Sequence, residues 1–351
     1  MGYSEKDSQN GEKLTIDEVA RLCGVSKTTV SRFLNGKYGN MSVQTRERIA
    51  HEIDALGFRP NRSAQRLKSS RSMLVGCVIA DISSPFSALL LKGITNVCEE
   101  HGYQVLFADS MENAARERRA IEGFLQNRVD GLIINTSGGN DEYLLSLRRR
   151  GIPTVLADRE LSDGAQMDTV AVPNRQAAAD CTAYLFSQGY DNVAFFSEEI
   201  GSVSPRLLRQ QGYADEVGKR GETPETYEFA TGDVEKCGEA IREFIGRHAG
   251  ERNAILSSNG TSSQIIMMAA NAMGLELGYR LGLCTFDNWS WLRLAKPGIS
   301  AIALGTDEIG ARSAGLLIDR MSGELSDSVP PVHLSVSAEL IERESTPNEL
   351  P

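Results

Sequence analysis

The stretch from Leu14 to Asn35 carries side chains of the kind that read DNA. Its second half has a helical spacing of apolar residues that leaves Lys27, Thr28, Ser31 and Arg32 on one outer face. Short donors and acceptors in the first turn of a helix fit base edges in the major groove, and an arginine can contact a guanine or a phosphate. The pattern indicates DNA recognition, and a small surface helical hairpin is the alternative.

A second set of polar residues follows apolar runs that are predicted to be buried strands. The carboxyl ends of parallel strands form ligand sites, and carboxylates and amides at such ends are suitable partners for the hydroxyls of a sugar. The residues in these positions are Asp81 to Phe86, Asp158 with Arg159, Asn174, Asn259 and Asp287. A helix cap or a turn explains any single one about as well, but their coincidence favours a ligand cleft.

Two arginines add a charge to this predicted cleft. Arg206 and Arg209 lie three residues apart near the start of a helix that begins at Pro205, so they share a helix face. The helix N-terminus adds a partial positive charge, and the set would attract an anionic group such as a carboxylate. The alternative is that Arg206 pairs with Glu198 or Glu199 on the preceding loop.

Two short helices and a tight turn must position the DNA-reading side chains. Thr15 can cap the first helix and form a capping box with Glu18, Gly24 ends that helix, and Ser26 can cap the second. A third helix is predicted within residues 42–57, with a serine cap at its start and a glycine at its end. These elements form a helix-turn-helix.

From Met73 onward, apolar runs alternate with amphipathic helical stretches. Runs such as MLVGCVIADI, VDGLIINTS and LCTFDN are typical of strands buried on both faces, which indicates parallel sheets covered by helices. About a dozen such strands exceed the number in one typical sheet, so the sequence predicts two similar lobes.

The charge is unevenly distributed along the chain, which has 351 residues and a formal charge of −10. Residues 14–71 hold 11 Lys and Arg against 5 Asp and Glu, a net charge of +6, whereas residues 72–351 hold 24 against 39, a net charge of −15. A basic head joined to an acidic body fits a DNA-binding protein whose affinity falls steeply with salt.

The residues T-I-D-E-V-A-R-L-C-G-V-S-K-T-T-V-S-R-F-L-N resemble the DNA-binding headpiece of the lactose-repressor (LacI) family of bacterial regulators, in which A-x-x-x-G-V-S-x-x-T-V-S-R-x-x-N is close to a signature. The segment from Ser42 to Ile49 resembles the start of that family's third helix. The resemblance implies a homodimer on pseudo-palindromic double-stranded operator DNA. It implies headpiece contacts to DNA from Thr15, Ser26, Lys27, Thr28, Thr29, Ser31, Arg32, Asn35, Ser42, Thr45 and Arg46.

The segment from Leu56 to Leu67 resembles the family's hinge. A helix over residues 62–67 is too short to be stable alone, so it is expected to order only against a partner. The family pairs two hinge helices in the minor groove, with a leucine wedged between base pairs. This implies DNA contacts from Asn61, Arg62, Ala64 and Leu67. A merely basic linker over residues 61–71 is the alternative.

The body is similar to the family's periplasmic sugar-binding-protein fold. The expected fold class is α/β, with an N-terminal all-α helix-turn-helix headpiece followed by a two-lobed, doubly wound body. The expected divisions are a disordered tail at 1–13, the headpiece at 14–60, the hinge and linker at 61–71, an effector-binding and dimerisation domain at 72–345, and a tail at 346–351. Within that domain, lobe 1 is expected at about 72–172 and 303–325, and lobe 2 at about 173–302 and 326–345.

The stretches ADISSPFSALLLKGI, VDGLIIN, LADRE and SPRLLRQQGY resemble the subgroup of LacI-type repressors that controls uronate and 2-keto-3-deoxygluconate catabolism. The family uses the arginine matching Arg209 even for neutral sugars. Arg206 is therefore the residue that distinguishes a sugar-acid ligand from a neutral sugar. The prediction is a repressor controlled by a sugar acid between the lobes, and a neutral sugar or another metabolite is the alternative. The expected effector-binding residues are Ser84, Phe86, Asp158, Arg159, Asn174, Arg206, Arg209, Asn259 and Asp287.

Other function classes find less support in the sequence. No phosphate-loop, nucleophile-elbow or Ser/His/Asp pattern is present, so no catalytic residue is expected. The six cysteines include no C-x-x-C and the four histidines are far apart, so neither a metal site nor a cofactor is expected. The polar N-terminus lacks the apolar core of a signal peptide, which favours a cytoplasmic regulator over a transport binding protein.

Overall fold

The computed structural model describes residues 15–34, 36–39, 41–58, 71–162, 166–326 and 328–348. The chain divides into two compact units, one ending at Ser72 and one beginning at Met73. The predicted tail at 1–13 and the predicted hinge over residues 61–70 lie outside the described residues. None of the described helices is both long and apolar enough to span a membrane.

Among its described residues, the first unit has three helices, and their apolar faces meet in one small core. The helices are α1 (Ile16–Leu22), α2 (Lys27–Leu34) and α3 (Val43–Ala55). The buried core consists of Val19, Ala20, Cys23, Val30, Ile49 and Phe58. Burying each large aliphatic side chain stabilises such a unit by roughly 1.5–3 kcal/mol, which holds α2 against α1 and α3. The predicted helix-turn-helix is confirmed.

The second unit begins with a six-stranded sheet in the order β11-β5-β4-β3-β1-β2. Its strands are β1 (Leu74–Ile79), β2 (Gln104–Asp109), β3 (Gly131–Ile134), β4 (Thr154–Ala157), β5 (Asp168–Ala171) and β11 (His333–Ser335). Its helices are α4 (Pro85–Glu100), α5 (Ala114–Gln126), α6 (Asp141–Arg149) and α11 (Thr306–Ser322). All strand pairs in this sheet are parallel.

A second six-stranded sheet follows in the order β12-β10-β9-β8-β6-β7. Its strands are β6 (Asn192–Glu198), β7 (Glu225–Phe229), β8 (Asn253–Ser257), β9 (Leu281–Phe286), β10 (Ser300–Ala303) and β12 (Glu339–Ile341). Its helices are α7 (Asn174–Ser187), α8 (Ser204–Lys219), α9 (Val234–Arg247) and α10 (Gly260–Ala272), and a 3-10 turn covers Ser290–Arg293. Only the pairing of β12 with β10 is antiparallel.

The two sheets repeat one topology, which explains where a ligand site forms. In each, the first strand lies between the second and third, so the strand order reverses beside β1 in one sheet and beside β6 in the other. Helices leave the sheet on opposite faces at such a point and open a crevice at the carboxyl ends of the strands. A buried apolar cluster that includes Val75, Ile133, Phe195 and Leu256 joins both lobes below these ends.

Two predicted boundaries near the C-terminus are wrong. Residues 326–345 do not all belong to lobe 2, because β11 pairs with β5 in the first sheet, and the third crossing lies after Ser335 rather than near Leu325. β11 is a three-residue strand at a sheet edge in which only Leu334 is partly buried, so it has no apolar run to mark it. Residue 346 is not part of a loose tail, since the Thr346 hydroxyl is buried and bonds to Tyr184 and Ser300.

Candidate functional site

The outer face of α2 is available for DNA because the inner face is buried. Val30 is fully buried, whereas Lys27, Thr28 and Arg32 are exposed. Lys27 Nζ lies 2.6 Å from Asp17 Oδ2, and both side chains are more than half exposed. An exposed pair of this kind contributes little to stability, so Lys27 can leave Asp17 for a phosphate or a base at small cost.

Several predicted DNA contacts also fix the starts of the helices. Thr15 and Glu18 form the predicted capping box on α1. Ser26 Oγ accepts a hydrogen bond from Thr29 N at 3.2 Å, and a bond of 2.9 Å joins the two hydroxyls. Ser42 and Thr45 repeat this arrangement at the start of α3, with distances of 3.2 and 2.8 Å. These residues therefore orient helix N-termini, whose free N–H groups are suited to binding phosphates.

Other predicted DNA contacts have different surroundings. The guanidinium carbon of Arg46 lies 4.1 Å from the centre of the Tyr38 ring, a cation–π contact on the surface of the helical unit. Ser31 lies on α2 and is partly exposed. The remaining contacts, Asn35, Asn61, Arg62, Ala64 and Leu67, lie outside the described residues.

A cavity of about 720 Å³ lies between the carboxyl ends of the two sheets. This volume is within the range of about 300–1,000 Å³ that is usual for small-molecule sites. Among the described residues that line it, Phe86 is the one aromatic, and carboxylates and hydroxyls dominate. Eight of the nine predicted effector contacts line the cavity: Ser84, Phe86, Asp158, Arg159, Arg206, Arg209, Asn259 and Asp287.

Asn174, the ninth predicted contact, does not line the cavity. Its side chain is 2% exposed and lies behind Arg209, whose Nε donates to Asn174 Oδ1 at 2.8 Å. Arg209 Nη1 donates to the carbonyl of Ser258 at 2.7 Å, and its guanidinium stacks on Phe286 at 4.0 Å from the ring centre. Asn174 therefore orients the guanidinium of Arg209, which does line the cavity.

Arg209 faces two buried carboxylates, one from each sheet. Asp158 follows β4 and Asp287 follows β9, and both adopt a left-handed backbone with φ of 67° and 70°. Burial raises the pKa of Asp158 to about 6, although Arg209 and Arg159 act in the opposite direction. Burial also raises the pKa of Asp287, against the charge of Arg209 and a hydrogen bond from Gly260 N. The sequence pattern predicts that both residues follow strands, but it does not predict their left-handed backbone conformation.

Arg206 forms an ion pair with Glu198, which is the alternative that the sequence left open. Its Nη2 lies 3.2 Å from Glu198 Oε2, and its Nη1 donates to the carbonyl of Glu199 at 2.9 Å. It nevertheless lines the cavity, and among the described residues its buried Nε has no hydrogen-bond partner. The pairing fixes the guanidinium and leaves one charged donor for a ligand.

Arg159 also lines the cavity in a fixed position. Its Nη1 and Nη2 donate to the two carboxylate oxygens of Glu112 at 3.0 and 2.6 Å, and Nη1 also donates to the carbonyl of Thr136 at 2.9 Å. Hydrogen bonding to Glu112 helps to raise the pKa of Arg159 against the effect of burial. The third predicted arginine therefore meets a carboxylate of its own lobe.

Asn259 has two roles at once. Its Oδ1 accepts a hydrogen bond from Ser262 N at 2.8 Å and caps α10, while its Nδ2 donates to Glu198 Oε2 at 2.9 Å. Asn259 thus caps a helix and also lines the cavity, because the start of α10 forms part of the cavity wall.

Glu112 and Glu198 also line the cavity, although neither is among the predicted effector contacts. Glu198 is the last residue of β6, beside the point where the strand order of the second sheet reverses, so the strand-end rule could have found it. Glu112 lies beyond the end of β2, and its contact with Arg159 spans 47 positions. No local pattern marks it.

Two family descriptions match the chain. "Bacterial regulatory proteins, lacI family" matches residues 15–61, and "Periplasmic binding proteins and sugar binding domain of LacI family" matches residues 72–323, which is more than half of the chain. The chain belongs to the LacI family. This LacI-family protein is a DNA-binding transcriptional regulator with a sugar-binding-type body, as the sequence predicted.

Relatives of this LacI-family regulator match over nearly their whole length. It is 33% identical to the HTH-type transcriptional regulator KdgR of Bacillus subtilis (strain 168), over 94% of this chain and 97% of the relative. It is 34% identical to the HTH-type transcriptional regulator PtxS of Pseudomonas plecoglossicida, over 97% and 98%. Both relatives are HTH-type transcriptional regulators, and they confirm the subgroup expected from the sequence.

Solved structures of the family show the same architecture. The Lac repressor dimer bound to operator and the anti-inducer ONPF has a TM-score of 0.82 at 21% identity, over 96% of this chain and 100% of that one. A complex of the transcriptional regulator CelR with cellobiose has a TM-score of 0.67 at 25% identity, over 95% and 99%. At its level of identity, the likeness to the Lac repressor shows the shared fold.

Proposed function

We propose that this LacI-family regulator is a repressor that binds a pseudo-palindromic operator as a homodimer and is controlled by a sugar acid in the cavity. The family match supports DNA binding and a sugar-type effector. The structure of the Lac repressor dimer on its operator supports the dimer by likeness of fold. The subgroup likeness to KdgR and PtxS supports the choice of a sugar acid.

The observation that carries the choice of ligand is a pair of unsatisfied polar atoms in the cavity wall. Among the described residues, Arg206 Nε and Asp158 Oδ1 are both buried and both lack a hydrogen-bond partner. A buried polar atom without a partner costs about 1–3 kcal/mol, and more when it is charged, so a ligand that satisfies both gains that energy. A carboxylate suits the arginine and a hydroxyl suits the aspartate.

The two atoms also lie on different lobes, which links binding to regulation. Asp158 follows β4 of the first sheet, whereas Arg206 lies on α8 beside the second sheet. A ligand that bonds to both favours one arrangement of the lobes over others. Such differential binding is what couples an effector site to affinity for DNA.

A neutral sugar is the second candidate, and a specific observation favours it. Glu198 pairs with Arg206 and Glu112 pairs with Arg159, while Arg209 faces Asp158 and Asp287, so each of the three arginines in the described lining already faces a carboxylate. A neutral hydroxyl group can also accept a hydrogen bond from Arg206 Nε. The two candidates differ in how strongly binding depends on the charge of Arg206.

On the DNA side, Lys27, Thr28 and Arg32 are proposed to read base edges from the exposed face of α2. Thr15, Ser26, Thr29, Ser42 and Thr45 are proposed to contact phosphates at the helix starts, and Ser31 and Arg46 to contact DNA beside them. The support is the exposure of α2 and the capped N-termini that carry these residues.

Titration calorimetry tests the ligand class. The proteins are the wild type, Arg206→Ala and the control Arg149→Ala, whose arginine forms an exposed pair with Glu142. The ligands are 2-keto-3-deoxygluconate, a uronate and the matching neutral hexose. We expect the wild type and the control to prefer an acid and Arg206→Ala to lose that preference. A neutral hexose that binds as tightly as the acids, or an acid preference that survives Arg206→Ala, contradicts the sugar-acid proposal.

A further inference from the structure

Glu112 occupies a constrained position at the edge of the cavity. It lies beyond the end of β2 in a left-handed backbone conformation, with φ of 52°, and its N–H donates to the carbonyl of Ala80 at 2.8 Å. Its side chain lines the cavity and keeps about a third of its surface, 35%, exposed. The backbone therefore holds this carboxylate towards the space that a ligand would fill.

The charge of Glu112 meets arginines from both lobes. Arg159 of the same lobe holds it through two hydrogen bonds, and Nη2 of Arg206 from the other lobe lies 3.9 Å from its Oε1. Burial opposes ionisation of Glu112, but Arg159 and Arg206 outweigh it and hold the pKa of this carboxyl below its ordinary value. Glu112 is therefore negatively charged at neutral pH.

Glu198, the other carboxylate beside Arg206, differs in its surroundings. Its side chain is 5% exposed, and its two oxygens accept hydrogen bonds from Thr231, Asn259 and Arg206. Its oxygens are thus occupied by neighbouring groups of its own lobe. Of the two carboxylates, Glu112 is the one that presents its charge to the cavity.

We propose that Glu112 determines the charge of the ligand, so that the cavity accepts a sugar with a single carboxylate and rejects one that also carries a phosphate. This inference rests on the proposed sugar-acid function. An anionic group that bonds to Arg206 Nε must come close to Glu112, and like charges in a partly buried site repel each other strongly. Arg206 outweighs this repulsion for one carboxylate, whereas a phosphate adds roughly two further negative charges to a cavity whose described lining holds seven carboxylates against three arginines.

The test compares 2-keto-3-deoxygluconate with its 6-phosphate by titration calorimetry on the full-length protein. The wild type is expected to bind the acid and to bind its phosphate at least about tenfold more weakly. In Glu112→Gln the carboxamide still accepts a hydrogen bond from Arg159, but the negative charge is gone. We expect the ratio of the two affinities to shift towards the phosphate by about tenfold or more.

Two further variants keep the test specific. Glu112→Asp retains the charge and is expected to retain the rejection of the phosphate, whereas a purely structural role would make it resemble Glu112→Gln. Glu142→Gln removes a carboxylate from an exposed pair with Arg149 on the same lobe, and it is expected to keep the wild-type ratio. Thermal unfolding of each variant shows whether the fold is intact.

The outcomes separate this inference from the proposed function. If the wild type binds the acid and its phosphate equally, or if Glu112→Gln keeps the wild-type ratio, the role of Glu112 is refuted while the sugar-acid proposal stands. If the wild type binds neither acid and binds a neutral hexose, the proposed ligand class fails and the inference about Glu112 fails with it.

Discussion

The recognition side chains of the helical unit and those of the cavity have opposite surroundings. On α2, Lys27, Thr28 and Arg32 are exposed, and the contacts of Lys27 are with solvent and with an exposed Asp17. In the cavity, Arg209 and Asp158 are 3% and 6% exposed. The exposed set stays hydrated until the helix docks on DNA, whereas the cavity side chains are already desolvated and held in place by charged neighbours.

This difference predicts how each region tolerates change. An exposed side chain on α2 can be removed without leaving a buried partner, so its loss affects DNA binding alone. Removing a buried charge in the cavity leaves its oppositely charged partners buried and uncompensated. Its loss therefore lowers both the affinity for the ligand and the stability of the fold.

Arg209→Ala is expected to have the largest effect. It removes the charge that faces Asp158 and Asp287 and leaves Asn174 Oδ1 without its donor. Loss of a buried, hydrogen-bonded charge costs roughly 3 kcal/mol, so the affinity for the sugar acid should fall about 100-fold or more. Calorimetry measures this, and thermal unfolding should show a lower stability.

Arg220→Ala is a matched control for Arg209→Ala, because Arg220 also stacks on a phenylalanine, Phe186, at 4.0 Å but has an exposed side chain. It should leave ligand affinity unchanged. If both variants lose stability and affinity to the same extent, the contrast between buried and exposed charges does not hold.

Arg32→Ala is expected to have a smaller effect that is confined to DNA. The loss of a bidentate contact should cost about 1–3 kcal/mol in operator affinity and relax the preference at one base position, with no change in thermal stability. Arg48→Ala, an exposed arginine on α3, controls for the loss of positive charge alone. Affinity measurements on a set of single-base operator variants would show equal losses for both proteins if Arg32 does not contact a base.

The pH dependence of ligand binding sharpens the description of the cavity further. The pKa of Asp158 is raised from 3.8 to about 6, so the ionised acceptor is lost as the pH falls through 6. Affinity for a ligand hydroxyl that donates to Asp158 should therefore fall towards about tenfold per pH unit below 6. Asp158→Asn should remove this dependence between pH 5 and 7, and an identical pH profile in the variant assigns the titration to another group.

The same pKa shift has a consequence for folding. Because the folded protein binds a proton at Asp158 more tightly than the unfolded chain does, the contribution of this group favours folding at low pH. That contribution declines as the pH rises from 3.8 to about 6. Asp158→Asn should therefore flatten the dependence of the unfolding midpoint on pH over this interval.

Local signals explain why the helical unit was predictable from sequence. The capping box of Thr15 and Glu18 and the cap of Ser26 each involve residues three positions apart, and the structure has both. The alternation of apolar runs with helical stretches likewise predicted both sheets. In these cases a pattern within a few neighbouring residues is enough to determine the local structure.

Long-range contacts explain what the sequence did not reveal. The carboxylate of Glu112 is held by Arg159, which is 47 positions away, and it also lies near Arg206 of the opposite lobe. Asn174 follows a strand as predicted, yet Arg209 lies between it and the cavity. β11 joins the first sheet by pairing with β5, and the paired residues, such as His333 and Thr169, are 164 positions apart in the chain. None of these arrangements has a periodicity that a single sequence displays.

The most direct test of the account is whether the cavity ligand alters the affinity for DNA. Fluorescence anisotropy on a fragment from upstream of the gene would measure operator affinity with and without 2-keto-3-deoxygluconate, for the wild type and Arg209→Ala. We expect the acid to change wild-type affinity by about fivefold or more, the neutral hexose to have no effect, and Arg209→Ala to bind DNA normally without responding. Wild-type operator affinity that is the same with and without the acid would contradict the account.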